Sequence, residues 1–574
     1  MNVVGVNYSI DSAAALLKNG IRTAASAEER FTRNKHDKGF PAKALSFCLK
    51  RGGITASDVD HYAFFWNPGR HIEPMLGRLS GAFRHHAEFL YSYPNHILQT
   101  LGQPGVSGVE QVLRLDDGSK VHIHYVDHHM AHAAAAYFNS PFDDAAILTV
   151  DGYGERNATL IASAQGHHLE AVHNIDFPHS IGSLYASITQ YLGFRANSGE
   201  GKVMGLASYG DDSLVEKFKP LVTLTPEGFE LDLSYFQYTS ERTTRYSQKF
   251  VELFGPARAA ESTLTHHHEN IAYALQAVTE EILLHVARLA RTKTGKKNLC
   301  VAGGVALNCV ANRRLMLEAG FDKIFILPPS GDAGSSLGAA QYVAHVLLNE
   351  PRDPSQYLDY LGFENRADEI ELAIQTSGAP WFKANNAPAV AAAMIANSHI
   401  GGWFQGRSEF GPRALGNRSI IADPRSAEMK DILNARVKFR EPFRPFAPSC
   451  LEESCGELFD SAVPSPFMLR VYNTLPERKK DLESITHVDG GARVQTVTQE
   501  QNPRYYALIK EFGKRTGVDC ILNTSFNIRG EPIVDNVREA LFCFFGTDMD
   551  FLCAGDYIVA KNPELLALAR TFDD

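Results

Sequence analysis

One order of elements occurs twice in the first two hundred residues, and no other feature narrows the fold as much. Residues 3–6 (Val-Val-Gly-Val) read as a short buried strand, and a polar loop carrying Asp11 follows. Residues 13–17 and 21–27 flank Lys18-Asn19-Gly20. Asn-Gly between two such runs predicts a hairpin, because a type I′ turn needs φ > 0 at both central positions. Residues 41–51 read as a helix that stops at Gly52-Gly53. From residue 145 the order returns. A buried strand spans 145–150, and Asp151-Gly152-Tyr153-Gly154 forms its loop. Strands at 157–164 and 168–173 join at Gln165-Gly166, and helical sequence covers 183–191. The two copies lie about 140 residues apart, so each is one half of a duplicated α/β domain.

That duplication predicts the actin/sugar-kinase/Hsp70 (ASKHA) architecture, in which two related halves hold a nucleotide. Two Gly-rich strand-to-helix turns support it. One is Gly303-Gly304-Val305-Ala306-Leu307-Asn308 after a strand at 299–303. The other runs from Pro328 through Asp332 to Gly338 after a strand at 323–327. Backbone N–H groups in such turns are placed to hold phosphate.

A polar, Pro-containing stretch marks a domain boundary, which gives a first domain at 1–350, a linker at 351–366 and a second α/β domain at 367–574. Strands in the second domain are expected at 400–405, 419–423, 468–472 and 520–523. Residues 67–118, aromatic and His-rich, read as an insertion, and with 212–266 they are expected to shape a substrate pocket. His266-His267-His268 is read as surface helix.

The chain has 574 residues, 44% hydrophobic and 21% charged, which excludes a disordered, collagen-like or coiled-coil protein. No apolar run reaches the ~20 residues of a bilayer span. No basic segment with an apolar core opens the chain, so no secretory leader is expected. The eight Cys are scattered without a CxxC pair, which predicts reduced thiols and a cytoplasmic location. A formal charge of −10 argues against a dedicated nucleic-acid binder.

Two constellations carry chemistry. His128 and His132 are i, i+4 at the start of an Ala-rich helix, so they share one face at metal-ligand spacing. Asp151 ends the following strand, and Asp332 sits in the second Gly-rich turn. Two imidazoles and two carboxylates suit a divalent transition metal such as Fe(II), Mn(II) or Zn(II). No Glu follows the first His, which removes the HExxH metallopeptidase reading. The second constellation runs from Trp403 to Phe446, where nine Lys/Arg stand against five Asp/Glu. Its arginines recur beside Gly and Pro in turns, where forked guanidiniums suit phosphate or carboxylate. Arg493 and Leu522-Asn523-Thr524-Ser525-Phe526-Asn527 add donors. Two anion sites in one chain suggest an adenylated intermediate made at one and used at the other.

These residues resemble the O-carbamoyltransferases of nodulation-factor and antibiotic tailoring, over nearly the whole chain. The specific marks are Glu28-Glu29-Arg30-Phe31-Thr32-Arg33, His128-x3-His132, Gly199-Glu200-Gly201-Lys202-Val203-Met204-Gly205-Leu206-Ala207, Gly303 to Asn308, Glu409-x-Gly411-Pro412-Arg413-Ala414-Leu415-Gly416 and Leu522 to Asn527. The resemblance implies a C-terminal YrdC-like α/β domain that joins carbamoyl phosphate and ATP, with Mg, into carbamoyl-adenylate. Arg413, Lys438, Arg444, Arg493, Asn523 and Ser525 are expected to hold the phosphates there. In the N-terminal domain it implies Fe(II) on His128, His132, Asp151 and Asp332, with Lys202, Gly303, Gly304 and Asn308 among the nucleotide-binding residues. A hydroxyl of a small molecule is then the expected carbamoyl acceptor. Family members carry a His just before the Asp of the first loop, whereas this chain has Ile10. Asp11 and His36 are the candidate bases in its place. Two other readings fit the same fold: a threonylcarbamoyl-type tRNA modifier, which a single acidic chain disfavours, and a nucleotide-binding regulatory module without turnover. A homodimer stays open.

Overall fold

The structure is a computed structural model that describes residues 1–67, 108–114, 118, 120–239, 243–352 and 360–573. The insertion read at 67–118 lies outside the described residues except at Asn67, 108–114 and Gly118. The chain divides into two compact units, Met1–Glu28 with Lys38–Gln356, and Glu29–Asp37 with Tyr357–Asp574.

In the first unit, β1 (Asn2–Asn7) pairs antiparallel with β2 (Ala13–Lys18), and β2 with β3 (Ile21–Ala27). Asn19 and Gly20 both have positive φ, at 50° and 77°, as the Asn-Gly turn predicts. On its other side β1 runs parallel to β4 (His61–Phe64), and β4 parallel to β6 (Lys120–Val126); β5 (Gly108–Arg114) adds an antiparallel edge. The second sheet repeats the scheme. β7 (Asp144–Val150) pairs antiparallel with β8 (Asn157–Gln165), and β8 with β9 (His168–Asp176). β7 is parallel to β12 (Asn298–Ala302), and β12 to β13 (Lys323–Ile326). A small hairpin, β10 (Val222–Thr225) with β11 (Gly228–Leu231), lies between them in sequence.

The two orders are therefore β3-β2-β1-β4-β6 and β9-β8-β7-β12-β13, the same five-strand topology twice. This is the duplicated actin/sugar-kinase-like fold. The first strand of each copy is buried along nearly its whole length, as a central strand covered on both faces must be.

The fifth strand of each copy feeds a helix, His128–Phe138 after β6 and Asp332–Gln341 after β13. These helices pack closely because Gly338 lets the Ala131 carbonyl approach, and Gly5 on β1 does the same for the Ser336 carbonyl. A Cβ at either position would overlap backbone. Gly338→Ala is expected to destabilise the first unit by about 1–3 kcal/mol and to weaken metal binding at the helix N-termini, read by thermal melting and metal titration. Unchanged values in both would refute the packing argument.

The second unit holds a nine-stranded mixed sheet. Its strands are β14 (Trp381–Lys383), β15 (Gly401–Phe404), β16 (Arg418–Ala422), β17 (Ala447–Leu451), β18 (Arg470–Asn473), β19 (Gly491–Val497), β20 (Cys520–Ser525), β21 (Phe551–Ala554) and β22 (Tyr557–Ala560). The order is β14-β22-β21-β15-β16-β20-β17-β19-β18. Buried Arg418 anchors its centre. It donates to the carbonyls of Gln405, Asn417, Asp535, Phe363 and Gly406 and lies over the Phe404 ring.

Segment Glu29–Asp37 belongs with this second unit, whereas the sequence reading kept it in the first domain. Two arginines supply the reason. Arg30 donates to the Gly411 carbonyl, and Arg33 donates to the carbonyls of Pro532 and Ile533 and pairs with Glu539. Neighbouring Glu28 stays with the first unit, where its carboxylate accepts the N–H groups of Lys43 and Ala44 at the start of the Ala42–Gly52 helix. Among the described residues no helix is long and apolar enough to cross a membrane.

Candidate functional site

The repeat brings four chain segments of the first unit together: the loops that end β1 and β7, and the N-termini of the two helices that follow the fifth strands. On the His128–Phe138 helix, His128 and His132 point the same way. Asp151 ends β7, and Asp332 opens its helix as the first residue after Gly331. Their ligand atoms all lie within 4.8 Å of one another. His132 Nε2 is 3.0 Å from Asp151 Oδ2 and 3.8 Å from Asp332 Oδ1, and His128 Nε2 is 3.5 and 3.8 Å from the same atoms.

The donor set fits a metal. Both imidazoles are buried and both carboxylates are partly open, so the group has a protein side and an accessible side. The local field draws positive charge. Burial opposes a charge on His132, yet hydrogen bonds and charges from Asp151 and Asp332 carry it up to about 9. Burial likewise opposes the Asp151 charge, and the two histidines hold it well below the usual carboxylate range. Two N and two O donors match a mixed-ligand transition-metal site with positions left for substrate.

Several residues hold this group in place. Ser9 Oγ donates to Asp332 Oδ2 at 2.6 Å, and Asn7 Nδ2 donates to the backbone carbonyls of Asp332 (2.5 Å) and Asp11 (3.2 Å). The first loop is thus tied to the second half through Asp332. Glu155 accepts the N–H groups of Asn67 and His128 at 2.6 and 3.0 Å, which fixes the first turn of the ligand helix. Burial, with the charge of Asp127 added, pushes Glu155 well above the usual carboxylate range. Sequence reasoning missed Ser9 and Glu155, because both act through contacts distant in sequence.

The Gly-rich turn adjoins the same group. Gly303 has φ 91°, and a Cβ there would overlap the backbone of Val150. A Cβ on Gly304 would stand 3.1 Å from Asp151 Oδ1. The expected helix start is instead a 3-10 turn at Gly304–Leu307, and the α-helix begins at Cys309. Asn308 caps that helix through Ala311 N–H and pairs with Gln276. Lys202 lies on the Glu200–Ala207 helix with its ammonium over the Phe194 ring. Asp11 lies in the first unit and His36 in the second, where the His36 N–H donates to Glu29.

In the second unit Lys438 is buried at 4% exposure and lies against Ser525, with Arg444 near it. Its Nζ donates to Ser525 Oγ (3.3 Å), the Ser525 carbonyl, and the Asn527 carbonyl and Oδ1 (3.0 Å each). The turn that presents it, Asn434–Lys438, is a π-helix closed by Phe439 at φ 48°, a left-handed conformation that is strained for an aromatic residue.

Around it the cations press on one another. Burial and then the charges of Arg444 and Arg493 bring Arg440 down to about 9. Burial lowers Arg444, with Arg493 and Arg529 adding to the effect and Glu441 opposing it. Burial first, then Arg440, Arg444 and Lys35, hold Lys438 well below the usual lysine range. Glu441 is a carboxylate within reach, 3.8 Å from Arg444 and 3.6 Å from Arg529. So dense a set of buried cations suits a polyanion.

The neighbouring loop is set by Glu409, whose Oε1 accepts the N–H groups of Leu415, Asn417 and Arg418. One carboxylate thus shapes the turn that carries Arg413. Asn523 Nδ2 donates to the Ala414 carbonyl, Ser449 Oγ and Gln495 Oε1, and Arg493 comes from β19 beside Gln495.

Comparison with known proteins agrees with both halves. The family model described as Carbamoyltransferase N-terminus matches residues 2–341, and that described as Carbamoyltransferase C-terminus matches residues 392–561. An uncharacterized protein of Synechocystis sp. is 40% identical, with 98% of this chain and 97% of that one covered. Nodulation protein NolNO of Sinorhizobium fredii is 38% identical over 96% of this chain and 79% of its own. Nodulation protein U of Rhizobium tropici is 30% identical over 100% and 99%. The chain belongs to the carbamoyltransferase family.

Proposed function

We propose that this carbamoyltransferase is an ATP-dependent O-carbamoyltransferase that makes carbamoyl-adenylate in its second unit and spends it at the His-Asp group of the first. The observation that carries the reading is the buried cluster of Lys438, Arg440 and Arg444, whose positive charges, with that of Arg493 beside Arg440 and Arg444, press on one another. Two phosphorylated substrates, ATP with Mg and carbamoyl phosphate, bring negative charge that such a cluster stabilises. The atoms balance with one water consumed. Carbamoyl phosphate gives up orthophosphate, the carbamate oxygen bonds to the α-phosphorus of ATP, and pyrophosphate leaves.

The chemistry explains the need for two sites. Amide resonance makes the carbamoyl carbon a poor electrophile, and an adenylate provides a better leaving group. At the first unit the acceptor oxygen bonds to that carbon, the bond to the AMP oxygen breaks and the hydroxyl proton leaves. His128, His132, Asp151 and Asp332 would hold the metal, with Fe(II) the family-matched choice and Mn(II) or Zn(II) the alternatives. When bound, such an ion supplies Lewis-acid polarisation of a carbonyl or phosphoryl oxygen. Ser9 and Glu155 orient the ligands, and the glycines of the Gly303-Gly304 turn let it lie directly against Val150 and Asp151. The acceptor is a hydroxyl of a small natural product or sugar. With Ile10 in the first loop, Asp11 and His36 are the bases to examine.

The test is pyrophosphate release by purified protein with ATP, Mg²⁺ and carbamoyl phosphate, in the absence of acceptor. Release that requires carbamoyl phosphate and matches orthophosphate one for one supports the adenylate route. Release without carbamoyl phosphate, or none from folded, metal-loaded protein, overturns it.

A further inference from the structure

A row of aromatic side chains leads away from the His-Asp group of the first unit. The Trp66 ring stands 5.6 Å from that of His128, centroid to centroid, and Tyr153, two residues after Asp151, stands edge-on to Trp66 at 6.0 Å. Phe177 follows at 5.5 Å from Tyr153, and Tyr238 at 5.9 Å from Phe177. None of the four rings is fully buried, and Tyr153 is 43% exposed. Half-open aromatic faces beside a polar centre suit the apolar face of a small ligand.

The row ends at a cation. Tyr238 lies in one arm of a short ribbon, in which Phe236 bridges to Tyr246 and the Gln237 N–H donates to the Arg245 carbonyl at 2.8 Å. Gln190, on helix Ile181–Tyr191, holds the other arm: it accepts the Arg245 N–H and donates to the Thr243 carbonyl, both at 2.8 Å. The Arg245 guanidinium is half-buried, yet among the described residues it makes no hydrogen bond and no ion pair. Burial lowers its pKa, opposed by the charges of Glu200, Tyr153 and Tyr238. Glu200 itself is turned to the Asn197 N–H, at 2.7 Å. A guanidinium that has lost water without gaining a partner is costly, and a ligand carboxylate restores the lost contacts in the geometry its fork prefers.

We propose that Trp66, Tyr153, Phe177, Tyr238 and Arg245 form the acceptor subsite, and that the acceptor is an acidic saccharide. Its reacting hydroxyl lies at the His-Asp group, its C–H faces pack on the rings and its carboxylate pairs with Arg245. The proposal rests on the reading of the first unit as the place of carbamoyl transfer. A sugar fits both properties of the row, because its ring offers apolar C–H faces to the aromatic rings while its hydroxyls stay in water. The acid group follows from Arg245 alone. The phosphate of AMP is the other anion that Arg245 would recognise, and the test separates the two.

Calorimetric titration of the full chain with a matched pair of disaccharides tests this without turnover: cellobiouronate, which carries one carboxylate, and neutral cellobiose. Cellobiouronate should bind about tenfold or more tightly than cellobiose. Arg245→Gln should remove that preference and leave cellobiose binding as it was, and Tyr153→Ala should weaken both sugars. AMP is titrated in parallel into a Lys438→Met background, which disables the cation cluster of the second unit. Arg245→Gln should leave AMP binding there unchanged; a loss of AMP binding with the sugars unaffected assigns Arg245 to the nucleotide phosphate and overturns the proposal. Equal binding of the two disaccharides, binding of neither, or a preference that survives Arg245→Gln overturns it as well. Should Arg245→Gln fail to fold, the parent protein decides, since a preference that does not shrink as ionic strength rises removes the charge contact. Pyrophosphate release without acceptor reports on adenylate formation separately, so each reading fails on its own measurement.

Discussion

Lys438→Met is expected to lower carbamoyl-phosphate-dependent pyrophosphate release by about 10²–10³-fold, the range for losing one preorganised electrostatic contact to a reacting anion. The expectation follows from what holds the ammonium. Its acceptors are Ser525 and Asn527, all on one short segment at the end of β20, and no carboxylate is among them. Among the described residues no carboxylate pairs with Lys438, so its oriented charge is available to an incoming phosphate. Methionine keeps the aliphatic volume in a buried position, which separates loss of charge from loss of packing. Lys438→Arg should not rescue, because a planar fork cannot address acceptors arranged around a point charge. The metal content of the first unit should be unchanged. Pyrophosphate release within twofold of the parent protein would remove Lys438 from the phosphate site, and the cation-cluster argument with it.

The two sites were unequally visible in the amino-acid order. The duplicated half was readable because its signals are local: β-branched runs, Asn19-Gly20, and Asp loops after buried strands. His128 and His132 were readable because i, i+4 spacing is a property of the helix itself. Asp151 and Asp332 followed because each sits where a strand ends or a helix begins. The second unit was harder. β17 contains Pro448, which weakens a strand reading, and Gly490-Gly491 before Arg493 reads as a turn although β19 starts at Gly491. Arg30 and Arg33 were placed with the wrong unit for a different reason. Their partners, Gly411, Pro532, Ile533 and Glu539, are hundreds of residues away, and no periodicity encodes such a contact. Ser9 and Glu155 share that property, since each acquires its role when a carboxylate or a helix N-terminus arrives from elsewhere in the fold.

His132→Ala should separate the two reactions. His132 is fully buried, and its Nε2 approaches both Asp151 and Asp332, so it is the imidazole most enclosed by the group. Removing it leaves one nitrogen donor and two carboxylates. Metal affinity should fall at least ~10²-fold, more than the 10–100-fold typical of losing an outer-shell partner. Carbamoyl transfer to an acceptor should fall with it. Pyrophosphate release without acceptor should stay within twofold, because none of the cations around Lys438 belongs to the first unit. His132→Asn provides the control for packing, since it refills part of the volume and offers a weaker donor. A parallel loss of both activities in a protein that still melts normally would mean that adenylate formation itself depends on the His-Asp group, and the assignment of one reaction to each unit would fail. Loss of transfer alone would locate the acceptor step at His128, His132, Asp151 and Asp332, and the search for the base that replaces the absent histidine at Ile10 would then be confined to groups within reach of that cluster.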